Sequence, residues 1–381
     1  MQEKIWLSSP HMGGTERKYV TEAFDTNWVA PLGPNVNAFE SAISTYLKQD
    51  VHVATLSSGT AGLHLGLILL GVTNGDEVLC QSMTFSASAN PIVYQGATPI
   101  FIDSEPDTWN MCPTYLEKAI NDRIKKGKKP KAIIAVHLYG MPYDVDAITA
   151  ISKKYDIPVL EDSAEAFGSS YKGQKCGTFG DISILSFNGN KIITTSGGGA
   201  LVTKNVSVRD KAIFLATQAR DNAPHYEHSY IGYNYRMSNI CAGIGRGQMQ
   251  VLDAHVTLRR EMHGFYVQLF EDIPGITVFA ENTPDRYSNH WLSCIIIDPV
   301  LAGFTSTDLR LELEKSNIES RPLWKPMHLQ PIFKTAPYYG SDISEHLFKN
   351  GLCLPSGSNL TLDDKIRIKK AVENFCANSF R

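Results

Sequence analysis

No stretch of the 381-residue chain reaches the roughly 18 consecutive apolar residues that a helix needs to span a bilayer. The N-terminal Met1–Trp6 also lacks the apolar core of a signal peptide. Neither sign of charge is in excess: 36 Lys and Arg against 39 Asp and Glu leave a net −3, no footprint for nucleic acid or an anionic membrane. Cysteine is sparse and scattered. Cys80, Cys112, Cys176, Cys241, Cys294, Cys353 and Cys376 show no metal-ligand spacing, and an odd, dispersed set reads as reduced thiols, so a cytoplasmic location is expected. The sequons at Asn205 and Asn359 should then be inert. Both G-x-G-x-x-G and the Walker pattern are missing, which disfavours a dinucleotide or a nucleoside triphosphate. Internal repeats and low-complexity linkers are absent too. The basic run Arg123–Lys129 reads as a solvated loop tip.

What is present is alternation. Apolar, β-branched runs at Val51–Leu56, Glu77–Cys80, Thr98–Asp103, Ala132–Leu138 and Pro158–Asp162 predict strands. Helical segments are expected between them at Ala61–Leu70, Phe85–Tyr94, Pro113–Asn121 and Val145–Tyr155. Strands joined by helix-length crossovers imply an α/β fold with a mostly parallel sheet covered on both faces. In such sheets ligands bind beyond the carboxyl ends of the strands. Ser57–Thr60, Thr84–Phe85, His137 and Asp162 fall at those ends. The alternation weakens after a long helical stretch, Met249–Phe270. The expected division is therefore a large domain over 1–248 and a smaller C-terminal α/β domain over 249–381.

One lysine stands out. Lys191 follows the apolar run Ile182–Leu185 and precedes Gly197–Gly199, a setting of tight backbone rather than open water. An amine is nucleophilic only without its proton, and then it can form a Schiff base. Asp162, ending another strand, would keep a pyridine nitrogen protonated; the two are what a pyridoxal phosphate enzyme needs. Ser58-Gly59-Thr60-Ala61 opens a helix, where N–H groups and glycine suit an anion; an ordinary helix cap explains it as well. Phe85 would stack on a flat ring or belong to the core, and Ser186 offers a hydroxyl to a phosphate. In the tail, Arg321, Trp324, Lys325 and His328 provide cations and an aromatic face for a nucleoside diphosphate, or a core tryptophan with solvated charges.

Taken in order, Ser-Gly-Thr-Ala from Ser58, Thr-Phe-Ser-Ala-Ser-Ala-Asn from Thr84, Val-His-Leu-Tyr-Gly from Val136, Glu-Asp-Ser-Ala-Glu-Ala-Phe-Gly from Glu161 and Ser-Phe-Asn-Gly-Asn-Lys from Ser186 resemble the DegT-type nucleotide-sugar aminotransferases. The likeness runs from Leu7–Gly14 to Gly351–Gly357. Trp28–Gly33, Asn190–Gly199, Ala219–Asp221 and Gly232–Arg236 are most similar to the branch that aminates carbon 4 of a UDP-linked 4-keto-6-deoxy-N-acetylhexosamine on the route to bacillosamine. The resemblance implies fold type I, pyridoxal 5′-phosphate as cofactor with pyridoxamine phosphate between two half-reactions, L-glutamate as donor, and a homodimer with shared sites. It implies Lys191 as the Schiff-base and proton-moving residue and Asp162 as the partner of the ring nitrogen. Ser58, Gly59, Thr60, Ala61 and Ser186 would hold the phosphate, Phe85 would stack on the ring, and Asn234 would reach the neighbouring subunit's phosphate; Arg236 joins the substrate candidates. Many members have glutamine where Glu165 stands, to touch the ring hydroxyl, and many have glutamate in place of Ser196. Members with histidine at the lysine position are dehydratases, a branch that Lys191 argues against. Another nucleotide-linked keto sugar, aminated at carbon 3 or 4, and a cofactor-binding regulator without turnover are the alternatives.

Overall fold

The strands are unbroken apolar runs because both faces of their sheet are covered. In the computed structural model, which describes residues 3–379 and the side chains of 3–377, every residue of β2 (Glu77–Gln81), β4 (Ala132–Val136) and β9 (Gly199–Thr203) is buried. These belong to an eight-stranded sheet with β1 (His52–Leu56), β3 (Thr98–Ile102), β5 (Val159–Asp162), β8 (Ile182–Ser186) and β14 (Tyr338–Tyr339), in the order β1-β9-β8-β5-β4-β2-β3-β14. All neighbouring pairs are parallel except those made by β9, which runs against both β1 and β8. A small sheet holds β6 (Ser170–Tyr171), β7 (Gln174–Lys175) and β11 (Arg286–Tyr287). The C-terminal part builds a third from β10 (Ile276–Val278), β12 (Ser293–Ile297), β13 (Arg321–Pro322) and β15 (Gly351–Leu354). The expected α/β architecture, a large mostly parallel sheet between helices plus a smaller C-terminal sheet, is the one observed.

Helix boundaries follow local chemistry. α1 (Glu16–Asp25) and α2 (Pro34–Leu47) precede the sheet, and Pro34 suits the first turn because its missing N–H has no helical partner there. α3 (Gly59–Leu69) starts before the expected Ala61 because Ser58 caps it, its Oγ accepting the Ala61 N–H at 3.0 Å. α4 (Ser86–Tyr94) takes Phe85 as its flanking residue; α5 (Pro113–Lys125) and α6 (Val145–Tyr155) follow, then α7 (Val206–Ala216). The helix expected over Met249–Phe270 begins three residues later, at Leu252, and a separate helix precedes it. α8 (Asn239–Met249) packs closely through its glycines: a Cβ on Gly245 would lie 2.6 Å from Phe39 and one on Gly247 2.7 Å from the Glu16 nitrogen. After a turn at Gln250–Val251, α9 (Leu252–Phe270) sets off anew.

The basic run is not a loop tip at its start. Arg123 lies in the last turn of α5 and its guanidinium binds the buried Glu77, Nε donating at 2.7 Å. Lys126, Lys128 and Lys129 are exposed cations beside Asp122, Glu77 and Asp156. All seven cysteines are free thiols, and no described helix is long and apolar enough to cross a membrane.

Candidate active site

Register puts the chemistry at one edge. Val136 pairs with Asp162, Asp162 with Ile184, and Ser186 with Gly199, so the last residues of β4, β5 and β8 line up beside the start of α3. Above them is a cavity of about 700 Å³, walled on its far side by residues of the C-terminal sheet. Of the residues singled out in the sequence, Ser58, Gly59, Thr60, Phe85, Asp162, Glu165, Ser186, Lys191, Arg321 and Trp324 all line it.

Asp162 is 4% exposed. Its Oδ2 accepts the Ser88 hydroxyl at 2.7 Å, and its Oδ1 accepts the Ala164 N–H at 3.1 Å. Burial pushes its pKa up, while Ser88, Ala164 and the charge of Lys191 pull against that. Glu165, also buried, receives the Tyr139 N–H on Oε2 at 2.7 Å and has Lys191 Nζ 3.5 Å from Oε1. Burial outweighs these partners and the carboxyl rises to about 7, the nearby charge of Asp162 adding to the shift. Lys191 Nζ also sits 4.0 Å from the ring centre of Trp291.

At the other end of the cavity the backbone is stripped of side chains. A Cβ on Gly59 would come within 3.1 Å of the Ser186 side chain, and one on Gly199 within 2.5 Å of the Gly59 nitrogen and the Ser58 carbonyl carbon. Only glycine lets the β9 backbone lie this close to the start of α3. The helix start leaves N–H groups without helical partners, with the Thr60 and Ser186 hydroxyls alongside. Ala61 does not line the cavity, and its N–H is taken by Ser58.

Four further candidates lie outside the cavity. Asn234 is exposed and forms a lone bridge with Thr217. Arg236 is held by Glu40 at 2.6 Å and the Thr55 carbonyl at 2.7 Å. Lys325 is exposed, and His328 meets Ser82 at 2.6 Å and Glu345 at 3.2 Å while stacking on Tyr338. His137 does follow the last residue of β4, but it is fully buried and does not line the cavity. Its Nε2 is 2.7 Å from Glu161, which also accepts the Ser163 and Ser183 hydroxyls and the N–H groups of Gly177, Phe179 and Gly180. Burial alone would raise Glu161; this web of donors, His137 foremost, brings it to about 2. The pair is a brace under the sheet.

Phe85 is 56% exposed, which excludes the core reading; its ring lies 5.5 Å from that of Trp324 at the cavity wall. Ser88, which holds Asp162, was not singled out in the sequence; its place about one helical turn beyond Phe85 is the signal that could have found it. Ser8, Asn188, Asn190, Trp291 and Glu319 also line the cavity; Ser8, Asn188 and Asn190 lie in stretches already noted but carried no assigned role, while Trp291 and Glu319 stand apart in the chain with no pattern to find them by.

The donor set fits pyridoxal phosphate. A glycine-lined helix start with two hydroxyls suits a doubly charged phosphate, a buried carboxylate suits a ring nitrogen, and a lysine suits an aldehyde. Comparison with known proteins agrees. Residues 10–373 match the model of the DegT/DnrJ/EryC1/StrS aminotransferase family. The chain is 50% identical to the putative pyridoxal phosphate-dependent aminotransferase EpsN of Bacillus subtilis, over 97% of this chain and 95% of that one. It is 37% identical to GDP-perosamine synthase of Escherichia coli O157:H7, over 97% and 98%. Among solved structures, the pyridoxal phosphate form of the putative sugar aminotransferase Spr1654 from Streptococcus pneumoniae superposes with a TM-score of 0.88 at 27% identity, covering 99% of this chain and 100% of that one. The chain belongs to the DegT/DnrJ/EryC1/StrS aminotransferase family and is a sugar aminotransferase that works with pyridoxal phosphate.

Proposed function

We propose that the protein moves an amino group from L-glutamate to carbon 4 of a nucleotide-linked 4-keto-6-deoxyhexose. What carries the reading is Lys191, held in a cavity beside two buried carboxylates and opposite a glycine-lined helix start. Pyridoxal phosphate, when bound, supplies a carbonyl that takes up amino groups and a ring that accepts the electron pair freed at carbon. Lys191 anchors the cofactor and moves the proton at the substrate carbon through Nζ. Asp162, fixed by Ser88 and Ala164, holds the proton on the ring nitrogen. Ser58, Gly59, Thr60 and Ser186 bind the phosphate, and Phe85 covers the ring. Glu165 replaces the glutamine common in the family; with a carboxyl near 7 it still offers a proton to the ring hydroxyl at neutral pH.

Arg321 and Trp324, on the opposite wall, are assigned to the substrate's diphosphate and base. Arg236 and His328, engaged elsewhere, and Lys325, exposed outside the cavity, are not. A homodimer completes the picture, Asn234 reaching the partner's phosphate from a segment where Tyr226, Tyr230 and Ile231 are also exposed. We draw the line between the large cofactor-binding domain and the smaller one at 248/249.

The carrier is UDP, with an N-acetylated sugar, on the strength of Trp28–Gly33 and Asn190–Gly199. GDP is the second reading, favoured by relatives named GDP-perosamine synthase at 37% and 35% identity. The test is incubation of the loaded enzyme with glutamate and, in turn, UDP-, GDP- and dTDP-linked 4-keto-6-deoxy sugars, with product identification by mass spectrometry and NMR. We expect glutamate to bleach the yellow absorption and one 4-amino sugar to form. An unchanged spectrum and no amine from any donor–acceptor pair sink the proposal.

A further inference from the structure

Arg259, in the middle of α9, is 1% exposed and has no carboxylate within ion-pair distance among the described residues. Burying a guanidinium unpaired is costly, since its hydration is lost with no charge to replace it. Burial lowers its pKa to about 9, and its Nε has no partner. The rest of the guanidinium is directed at two groups. Nη1 donates to the Trp291 carbonyl at 2.6 Å, and Nη2 to the Ser8 hydroxyl oxygen at 2.9 Å.

Both recipients point the same way. Ser8 Oγ donates to the Asn190 carbonyl at 2.7 Å, and the Trp291 indole N–H donates to that same oxygen at 2.7 Å. Asn190 is the residue before Lys191, and the Trp291 ring lies 4.0 Å from Lys191 Nζ. A serine hydroxyl has one proton; with Arg259 filling a lone pair of its oxygen, that proton is left to Asn190. Trp291 is fixed from the other side as well: its main-chain N–H donates to Asn289 Oδ1 at 2.8 Å, and Asn289 Nδ2 donates to the Glu165 carbonyl at 2.8 Å. Three distant parts of the chain thus converge on one peptide group. The positive charge behind the Ser8 hydroxyl polarises it and strengthens its bond to Asn190, while at Trp291 the guanidinium anchors the main chain from which the indole reaches the same oxygen.

We propose that Arg259 is a positioning residue for Lys191, acting through Ser8 and Trp291 to clamp the Asn190 carbonyl and so fix where Nζ is delivered. The inference rests on the proposed role of Lys191, but one of its tests does not. In cofactor-free protein, amide hydrogen exchange over 188–195 reads the clamp alone. Ser8→Ala and Trp291→Phe, each removing one donor to Asn190, should speed exchange there by about tenfold, as does Arg259→Lys, without a comparable change in β2 or β4.

In the loaded enzyme Arg259→Lys should lower kcat by about tenfold, the scale on which small misplacements of reacting groups act, while KM for glutamate stays within about twofold. The pH midpoint of the yellow absorption should move. The Ser8→Ala/Arg259→Lys pair should be no slower than Arg259→Lys alone, since both break one unit. Additive losses, or a lower Tm with exchange over 188–195 and the absorption midpoint unchanged, would reduce Arg259 to a packing residue. Ser8→Ala and Trp291→Phe are mild enough to decide the matter should the arginine variant not fold. If Lys191→Ala retained turnover while the exchange results held, the clamp would stand and the role of the lysine would fall.

Discussion

At Asp162, burial works against ionisation while a serine hydroxyl, a backbone N–H and a nearby ammonium work for it. The carboxylate is therefore poised to be fixed by a cationic ring nitrogen. Asp162→Asn keeps the shape but not the charge, and we expect cofactor retention with a rate loss on the order of a hundredfold, the scale of single electrostatic contacts in catalysis. A near-normal rate with an unshifted spectrum would make Asp162 merely structural. Glu165 gives a pH signature. Its folded pKa, near 7, lies above its ordinary value of 4.5. The folded chain binds the extra proton, so the stability this group contributes is complete below 4.5 and is lost as pH rises through 7. By linkage the loss is about 3 kcal/mol. Urea unfolding of cofactor-free protein between pH 5 and 8 should show it, and Glu165→Gln should flatten that part of the profile; parallel profiles would exclude it. Residues at this scale were legible where chemistry is carried locally. Asp162 sits at the end of an apolar run, Lys191 stands between such a run and a glycine triplet, and Phe85 and Ser58 each flank a helix. Trp291, Ser8 and Arg259 were not, because what aims them is contact across the whole chain length. His137 misled for the same reason: its buried partner, Glu161, is invisible from a strand-end position.

Among the elements, the joint between β9 and α3 is the tightest feature of the cofactor end. Gly199 pairs with both Leu56 and Ser186, so it cannot move aside, and a methyl there meets Ser58 and Gly59 backbone at 2.5 Å. Gly199→Ala should push the start of α3 away from Ser186. At an overpacking cost of about 1–3 kcal/mol, cofactor affinity should fall by tenfold or more, measured by equilibrium dialysis with pyridoxal phosphate; unchanged affinity would show that α3 does not hold the phosphate. The five strands β1 to β5 and the four crossover helices between them could be read from apolar periodicity, since burial on both faces leaves continuous runs. The antiparallel β9 could not, because nothing local records strand direction. α8 was not anticipated, because its glycines serve close packing against Phe39 and Glu16, which leaves no local helical signal.

For the whole molecule, the proposed sharing of sites between subunits makes a sharp forecast. Lys191→Ala and a disruptive Asn234 variant should each be inactive alone. Mixed, they form dimers with one doubly damaged site and one intact site, so about half the normal activity per mixed dimer should return. No recovery, with mixed dimers shown to form by native mass spectrometry, would return Asn234 to its own chain or to no site.

The short strand β14 has a different consequence. It comes from the C-terminal part of the chain, yet it completes the large sheet, pairing Tyr338 with Phe101 and Tyr339 with Ile102. Cut at 248, the N-terminal fragment would keep β3 but lose its cover, leaving a row of open N–H and carbonyl groups beside an apolar face. Such an edge is a template for strand addition. Expressed alone, residues 1–248 should self-associate, and light scattering should show it at concentrations where the full chain scatters little. A monodisperse, folded fragment would contradict this. The last strand of the sheet is thus a late-arriving lock: until the ribosome has released the tail, the growing chain carries an unguarded edge.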